Sequence, residues 1–244
     1  DNFASIVAAI REGRGVYSNI RKFLLYILNS NMPEAVPSVL FLLSGGRIPL
    51  ALTVMEILFI DLGTDLVPAL GLGREHPEPG TMDRPPRSQS EHLINGSLLK
   101  KAFGWYGLWS SLISTAGFFI ANRIHGYSFG NLPASGPVYR QATTVALAMI
   151  IACQIANVLC IRYEVGTVFN KRFFTNSMIF LGIIIETVLL ICVSYVPLLQ
   201  SVFGTAAMQR QDWLIWICIP IPLILIDELR RYVVRKRNHI VLTD

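Results

Sequence analysis

The sequence predicts an all-α protein, a polytopic membrane bundle of six transmembrane helices. Of the 244 residues, 52% are hydrophobic and only 15% are charged, whereas about a quarter of the residues in a soluble domain are charged. Apolar runs of roughly 20 residues, the length that crosses about 30 Å of hydrocarbon, recur along the chain. The high apolar content also excludes intrinsic disorder.

Six apolar runs are the predicted spans, and they cover residues 24–44, 50–73, 98–122, 141–163, 175–198 and 213–234. With an even number of crossings, both termini lie on one side, and that side holds 17 of the Lys and Arg residues against four on the other. Basic residues accumulate on the cytoplasmic side, so we expect cytoplasmic termini. Membrane topology thereby explains the net charge of +5, and nucleic acid is not expected as a partner.

The predicted domains follow from these runs. Residues 1–23 have helical apolar spacing and are predicted to form a cytoplasmic stalk helix. A six-helix membrane domain at 24–237 and a cytoplasmic tail at 238–244 complete the chain. Because the sequence opens at Asp1 without Met or a signal peptide, we expect it to be the C-terminal part of a longer protein. The four cysteines lack the spacing of a disulfide framework or zinc site.

Polar residues within the first two runs are the main candidates for function, because each charge buried in a bilayer costs about 2.5 to 3.5 kcal/mol on insertion scales. Asp61, Thr64 and Asp65 share one face of a helix. Glu34 in the first run lies at a similar depth, and the short loop at 45–49 makes the two helices antiparallel neighbours. Two polar faces can therefore converge in the middle of the membrane.

Prolines in both runs strengthen this prediction. Pro33, Pro37 and Pro68 each leave a carbonyl four residues earlier without its helical partner, and Gly63 favours local unwinding. Broken helices that offer carbonyl and carboxylate oxygens coordinate hard cations in transporters. The predicted ligands are Asn31, Glu34, Asp61, Thr64 and Asp65.

The alternative is a structural role for such polar groups, as hydrogen-bonded packing residues. We favour that role for Glu56, but three clustered carboxylates repel one another unless a cation or protons neutralise them.

Other polar residues give weaker signals. Gln154 and Asn157 lie one turn apart in the fourth run, where interhelical hydrogen bonding is an equally good explanation. Glu186 in the fifth run fits a peripheral ligand, a proton site or a structural role. Asp227 and Glu228 precede two arginines, and this pattern favours a salt-bridged helix end.

Four stretches stand out together: DNFASIVAAIREGRGVYSNIRKF at 1–23, NSNMPE at 29–34, IDLGTDLVPA at 60–69 and MDRPPR at 82–87. Together they resemble the P-type cation-transporting ATPases of the calcium and sodium/potassium pump branch. The resemblance implies that the six runs are helices five to ten of a ten-helix pump. It also implies two partners, the lipid bilayer and the N-terminal half of the same pump with helices one to four and the cytoplasmic domains.

By this resemblance, Asn31 and Glu34 match ion ligands of helix five, and Asp61, Thr64 and Asp65 match those of helix six. Ser30 matches a potassium-linked position and is an accessory candidate, together with Gln154, Asn157 and Glu186. Calcium pumps carry Asn at the position of Asp61, which favours the sodium/potassium type. Calcium pumps carry Glu at the position of Gln154, and sodium pumps carry Asp at the position of Asn157. The fourth run therefore favours neither calcium nor sodium as the transported cation.

The family's phosphorylated Asp in DKTGT, its TGE loop and its GDGxNDxP loop are not found in these residues. The resemblance therefore implies a chain that does not hydrolyse ATP alone, with ATP and magnesium bound by upstream domains. It implies a multi-pass protein of the plasma membrane that moves calcium, sodium or potassium. The counterion, the stoichiometry and any accessory subunit stay open.

Two other functions compete with the pump. An ATP-independent transporter or channel could use the same carboxylates, and we would expect it to be a complete six-helix protein with related halves. In a non-transporting membrane fragment or regulatory subunit, the same carboxylates would have no transport role. The reading frame upstream separates the three, because DKTGT there indicates a pump and a stop codon indicates a fragment.

Overall fold

The computed structural model describes residues 3–78, 80–82, 85–86, 92–164 and 166–237, and within them every regular element is helical. The all-α prediction is confirmed. The elements are α1 (Phe3–Leu43), α2 (Val54–Phe59), the π-helix π1 (Ile60–Thr64), α3 (Leu66–Gly73), α4 (Gly96–Lys101), the π-helix π2 (Ala102–Gly107), α5 (Leu108–Ile124), α6 (Pro137–Ile161), α7 (Ser177–Tyr195), α8 (Pro197–Phe203), α9 (Arg210–Cys218) and α10 (Pro220–Arg237).

The predicted stalk and first span form one continuous helix, α1, which passes through Pro33 and Pro37. The prediction that this helix breaks at its prolines is wrong. Each proline removes a single bond from the backbone ladder, and neighbouring helices can hold the remaining turns in line; α1 packs against α3, π2 and α5. Residues 1–2, the tail at 238–244 and three positions of the 82–87 motif (83, 84 and 87) lie outside the described residues.

The second predicted span is divided into α2, π1 and α3. A capping box starts α2: the Thr53 hydroxyl accepts from the Glu56 backbone N–H at 3.2 Å, and the Glu56 carboxylate accepts from the Thr53 N–H at 2.7 Å. This structural role for Glu56 agrees with the favoured interpretation. The expected irregularity near Gly63 is present as π1, where the Asp65 N–H donates to the Ile60 carbonyl at 3.0 Å, so the helix widens and does not unwind.

Two helices in the described part of the chain, α6 and α7, have by themselves the length and hydropathy of a membrane span. Most residues of α6 are buried, and α5, α7 and α10 pack around it. The other predicted runs are divided by π1, by π2 or at Pro220, and the first continues a charged stalk. The π-turns and the proline interrupt what composition alone presents as uniform apolar segments.

Buried ion pairs connect several helices at the end of the bundle that we name the basic end, which holds the loops after α3 and α6. Arg162, at the end of α6, is fully buried and its Nε lies 2.9 Å from a Glu75 carboxylate oxygen. Asn176 also donates to Glu75, at 3.0 Å. Lys22 of α1 contacts the Arg162 carbonyl at 2.5 Å and Glu78 at 3.1 Å. The stalk is thereby joined to both loops.

The ion pairs predicted for Asp227 and Glu228 are confirmed, although both residues lie in the middle of α10 (Pro220–Arg237) and not at its end. Asp227 pairs with Arg230 at 2.7 Å and with Arg231 at 3.1 Å, and Glu228 pairs with Arg231 at 3.2 Å. Arg231 also donates to the Cys160 carbonyl at the end of α6, at 3.3 Å. A cation at a helix C-terminus complements the helix dipole, so this cluster attaches α10 to α6.

Glycines allow α3 and α7 to approach closely. A Cβ at Gly71 would lie 2.7 Å from the Ile179 side chain and 3.1 Å from the Ile179 backbone nitrogen, and a Cβ at Gly182 would lie 2.9 Å from the Pro68 ring. Small residues at helix interfaces permit such packing in membranes. Because α3 follows Asp65 directly, this contact also fixes the position of the carboxylate.

We predict that Gly71→Ala destabilises the protein by about 1 to 3 kcal/mol, because the added methyl overpacks the α3–α7 contact. Gly73→Ala is the matched control, since a Cβ at Gly73 meets nothing within 4 Å. The measurement is the midpoint of thermal unfolding of the full-length protein in detergent. Equal midpoints for the two variants would contradict the tight packing.

Candidate cation site

Three carboxylates from two neighbouring segments converge near the middle of the second run. Glu34 of α1, Asp61 of π1 and Asp65 at the start of α3 each place one oxygen so that all three lie within 4.8 Å of one another. Glu34 and Asp65 are 6% and 3% exposed. Among the described residues, one buried oxygen of Glu34 has no hydrogen-bond partner. This is a set of hard oxygen donors of the kind that binds hard cations.

The π-turn contributes to this convergence. It ends where Asp65 begins, and its wider ring carries Asp61 and Thr64. Pro68 has no N–H to give to the Thr64 carbonyl, so the backbone beside the carboxylates lacks one regular bond. Single π-turns within helices occur frequently at functional sites.

Gln154 of α6 joins the elements around the carboxylates. Its amide nitrogen donates to an Asp65 oxygen at 2.5 Å and to the Ser30 hydroxyl at 3.1 Å. Its amide oxygen lies 3.2 Å from the Thr64 hydroxyl, which also lies 3.2 Å from the Ile60 carbonyl. Ser30, Thr64 and Asp65 are therefore brought together by one side chain, and Gln154 does make the interhelical hydrogen bonds weighed for it.

Asn157, one turn further along α6, forms a second layer. It donates to the Asn29 side-chain oxygen at 2.8 Å and to the Ser110 hydroxyl of α5 at 3.1 Å. The Asn29 amide donates to the Tyr26 carbonyl of its own helix at 2.7 Å. This layer holds α1, α5 and α6 together beside the carboxylates.

Glu186 of α7 is fully buried, and neither of its carboxylate oxygens has a hydrogen-bond partner among the described residues. It lies near both Asp65 and Tyr26. The accessory residue predicted in the fifth run therefore lies beside the candidate site.

Asn31 and Asp61 lie on the surface of this chain. The Asn31 amide donates to the Ile27 carbonyl of its own helix at 3.0 Å, so the structure does not bring this predicted ligand into hydrogen-bond contact with the carboxylates. The cluster is enclosed on the side of α6 and α7 and open on the side of Asp61.

Sequence reasoning missed Ser110 and did not assign Asn29 or Tyr26 to the site. A signal for Ser110 was present, because Ser110 and Ser114 repeat at helical spacing in an otherwise apolar run. No sequence feature pairs Asn29 with Asn157, because that contact joins residues 128 positions apart.

Comparison with known proteins gives a consistent result. Residues 49–233 match the family described as "Cation transporting ATPase, C-terminus". The chain is 30% identical to the sodium/potassium-transporting ATPase subunit alpha-4 of Rattus norvegicus, over 97% of this chain and 25% of the relative. It is 28% identical to calcium-transporting ATPase 1 of Saccharomyces cerevisiae, over 98% and 24%.

A third relative is the endoplasmic reticulum calcium ATPase srcA of Aspergillus fumigatus, which is 29% identical over 97% of this chain and 26% of the relative. The chain thus spans about a quarter of the length of these curated relatives. The match to the family covers most of the described helices, from the loop before α2 into α10. The chain belongs to the cation-transporting ATPases and corresponds to their C-terminal region.

Proposed function

We propose that this chain is the C-terminal membrane portion of an ATP-driven cation pump and supplies ligands for the transported cation. ATP and magnesium bind to upstream domains in this proposal, so the chain alone is not catalytic. Membership of the family supports the proposal. The observation that carries it is the convergence of Glu34, Asp61 and Asp65 within 4.8 Å.

The chemistry of the cluster supports a cation as its occupant. Carboxylates this close cannot all remain ionised in a medium of low dielectric unless positive charge lies between them. In the described part of the chain, the Gln154 amide reaches Asp65 but neither of the other two carboxylates, and one buried oxygen of Glu34 has no donor. A cation, or protons when the cation has left, completes the site. Ser30, Thr64 and Gln154 position Asp65, and Glu186 lies buried on the α7 side of the cluster.

The open side of the cluster identifies where a partner is needed. Asp61 and Asn31 are polar and exposed, and such groups in a membrane normally face the bundle interior or a water-filled cavity. We propose that helices of the N-terminal half of the pump cover this side and add further ligands. In that arrangement the chain crosses the bilayer six times, with the stalk, the basic end and the tail in the cytoplasm and the plasma membrane as its location.

The continuity of α1 suggests how ATP energy could reach the site. The same helix carries the stalk and Glu34, and Glu34 lies 23 positions after Arg11, a distance of about 35 Å at a rise of about 1.5 Å per residue. A movement applied at the stalk therefore shifts Glu34 relative to Asp61 and Asp65, which belong to a different segment. Separation of these carboxylates weakens cation binding, and their approach strengthens it.

We predict that Glu34→Gln and Asp65→Asn each lower the apparent cation affinity at least about tenfold, because one full negative charge is lost from the cluster. The measurement is cation-stimulated phosphorylation of the full-length protein, with calcium, sodium and potassium tested in turn. The cation that stimulates the wild type identifies the substrate.

Glu12→Gln is the control for that experiment, since Glu12 lies exposed on the same helix 22 residues earlier. Its cation dependence should match the wild type. Unchanged cation dependence in both Glu34→Gln and Asp65→Asn would remove these residues from transport. Phosphorylation without any cation dependence would favour a different function.

We predict that Gln154→Glu raises the preference for divalent over univalent cations about tenfold, a change of about 1.4 kcal/mol. The new carboxylate would stand within hydrogen-bond distance of Asp65, and only a higher positive charge offsets the added repulsion. The measurement is the ratio of calcium to sodium or potassium required for half-maximal ATP turnover. Gln211→Glu, exposed at the start of α9, is the control. An unchanged ratio would place Gln154 outside the cation's surroundings.

A further inference from the structure

A basic cavity of about 660 Å³ lies at the basic end, between the stalk part of α1, the loop after α3, the start of α4 and the ends of α6 and α10. This is within the size range of small-molecule sites. Its cationic lining residues are Arg14, Arg21, Lys22, Lys101 and Arg230. The carboxylates in the lining are Glu78 and Glu164, so cations exceed anions by three among the described residues. We name this space the basic cavity.

The basic cavity has a buried floor and an accessible rim. Lys22 and Glu78 pair at 3.1 Å with side chains 6% and 10% exposed, whereas Lys101 and Glu164 approach to 3.8 Å with side chains 35% and 42% exposed. The exposed pair contributes little to stability, so Lys101 can exchange its partner for a ligand. The floor is fixed and the rim is adaptable.

A second space, the basic groove, continues from the cavity along the outside of α4 and π2. Lys101 and Arg230 line both spaces, and the groove adds Lys100, Gly104 and Trp105. Arg230 is held in place by Asp227 at 2.7 Å and by the ring of Trp105, whose centroid is 5.5 Å away. Trp105 is also fixed, because its indole N–H donates to Asp227 at 3.0 Å.

An apolar path leads away from the basic groove. Gly104, Leu108 and Leu112 are exposed and follow one another at intervals of four residues, so they form one stripe along π2 and α5. A side chain at Gly104 would meet nothing within 4 Å, which leaves an open channel beside Trp105. The stripe runs from the cationic groove into the apolar part of the bundle.

We propose that the basic cavity and basic groove bind one anionic phospholipid. Lys101 and Arg230 contact the phosphate, the polar headgroup enters the basic cavity, and an acyl chain lies along the Gly104, Leu108 and Leu112 stripe. Basic pockets at the ends of membrane helices bind anionic headgroups, and Trp marks the level of the membrane interface. The apolar stripe favours a lipid over soluble phosphate, because free phosphate has no group that would occupy it.

The proposal is tested by lipid binding to the full-length protein in detergent, counted by native mass spectrometry. The probes are palmitoyl-oleoyl phosphatidylglycerol, the matching phosphatidylcholine and inorganic phosphate. We expect retention of one phosphatidylglycerol that phosphatidylcholine does not match and that excess inorganic phosphate does not displace. Lys101→Gln should weaken its binding about fivefold, the effect of one cation at a membrane surface.

A second variant fills the basic cavity without changing its charge, and so tests whether the lipid headgroup needs that space. A Cβ at Gly13, which lines the basic cavity, meets nothing within 4 Å, so Gly13→Leu fills the space while raising helix propensity. It should reduce phosphatidylglycerol binding at least about tenfold. Lys171→Gln and Ala9→Leu, at exposed positions outside both spaces, should bind like the wild type.

Three results would overturn the proposal. The first is unchanged phosphatidylglycerol binding in both Lys101→Gln and Gly13→Leu. The second is equal retention of phosphatidylcholine, which would show that charge is not recognised. The third is displacement by inorganic phosphate, which would assign the site to a soluble anion. These readouts do not depend on cation transport, so they stand apart from the tests of Glu34 and Asp65.

Discussion

The arrangement of this chain depends on holding three carboxylates together in a medium of low dielectric. Their oxygens lie no more than 4.8 Å apart, so at an effective dielectric constant of about 20 each ionised pair repels by at least roughly 3.5 kcal/mol. One univalent cation at about 2.4 Å attracts each carboxylate by roughly 7 kcal/mol on the same scale. A bound cation therefore more than offsets the repulsion, and its departure leaves a strained cluster that favours separation of the helices or uptake of protons.

The surrounding helices keep the carboxylates close. Gln154 connects α6 to Ser30, Thr64 and Asp65, and the Gly71 and Gly182 contacts press α3 against α7. Neither feature touches Glu34, which belongs to α1 and depends on that helix for its position. Gln154 therefore holds Asp65 directly and reaches Glu34 only through Ser30, one turn earlier on α1.

The sequence was sufficient to predict the all-α class and the pairing of Glu34 with Asp61 and Asp65. Both follow from short-range rules, namely apolar run length, helical periodicity and a loop too short to separate the helices.

The sequence was not sufficient to predict an unbroken α1 or the π-turn at Ile60–Thr64. Whether a proline breaks a helix depends on the neighbours that replace its lost bond, and those neighbours come from α3, π2 and α5. The Asn29 and Asn157 pair was missed for the same reason, because it is a contact between distant parts of the chain.

Two parts of α1, one around Asn19 and Lys22 and the other around Asn31 and Glu34, are attached to the bundle differently, and this difference bears on how a pump could use the helix. At the basic end, Lys22 contacts the Arg162 carbonyl and Glu78, and the Asn19 amide contacts the Glu75 carbonyl at 2.5 Å. Buried ion pairs and their hydrogen bonds are costly to break singly, so the stalk carries the loops after α3 and α6 with it. Further along, one Glu34 oxygen has no partner and Asn31 bonds only its own helix among the described residues. A displacement of the stalk reaches Glu34 past the contacts of Asn29 with Asn157 and of Ser30 with Gln154, so α6 limits how far Glu34 moves relative to Asp65.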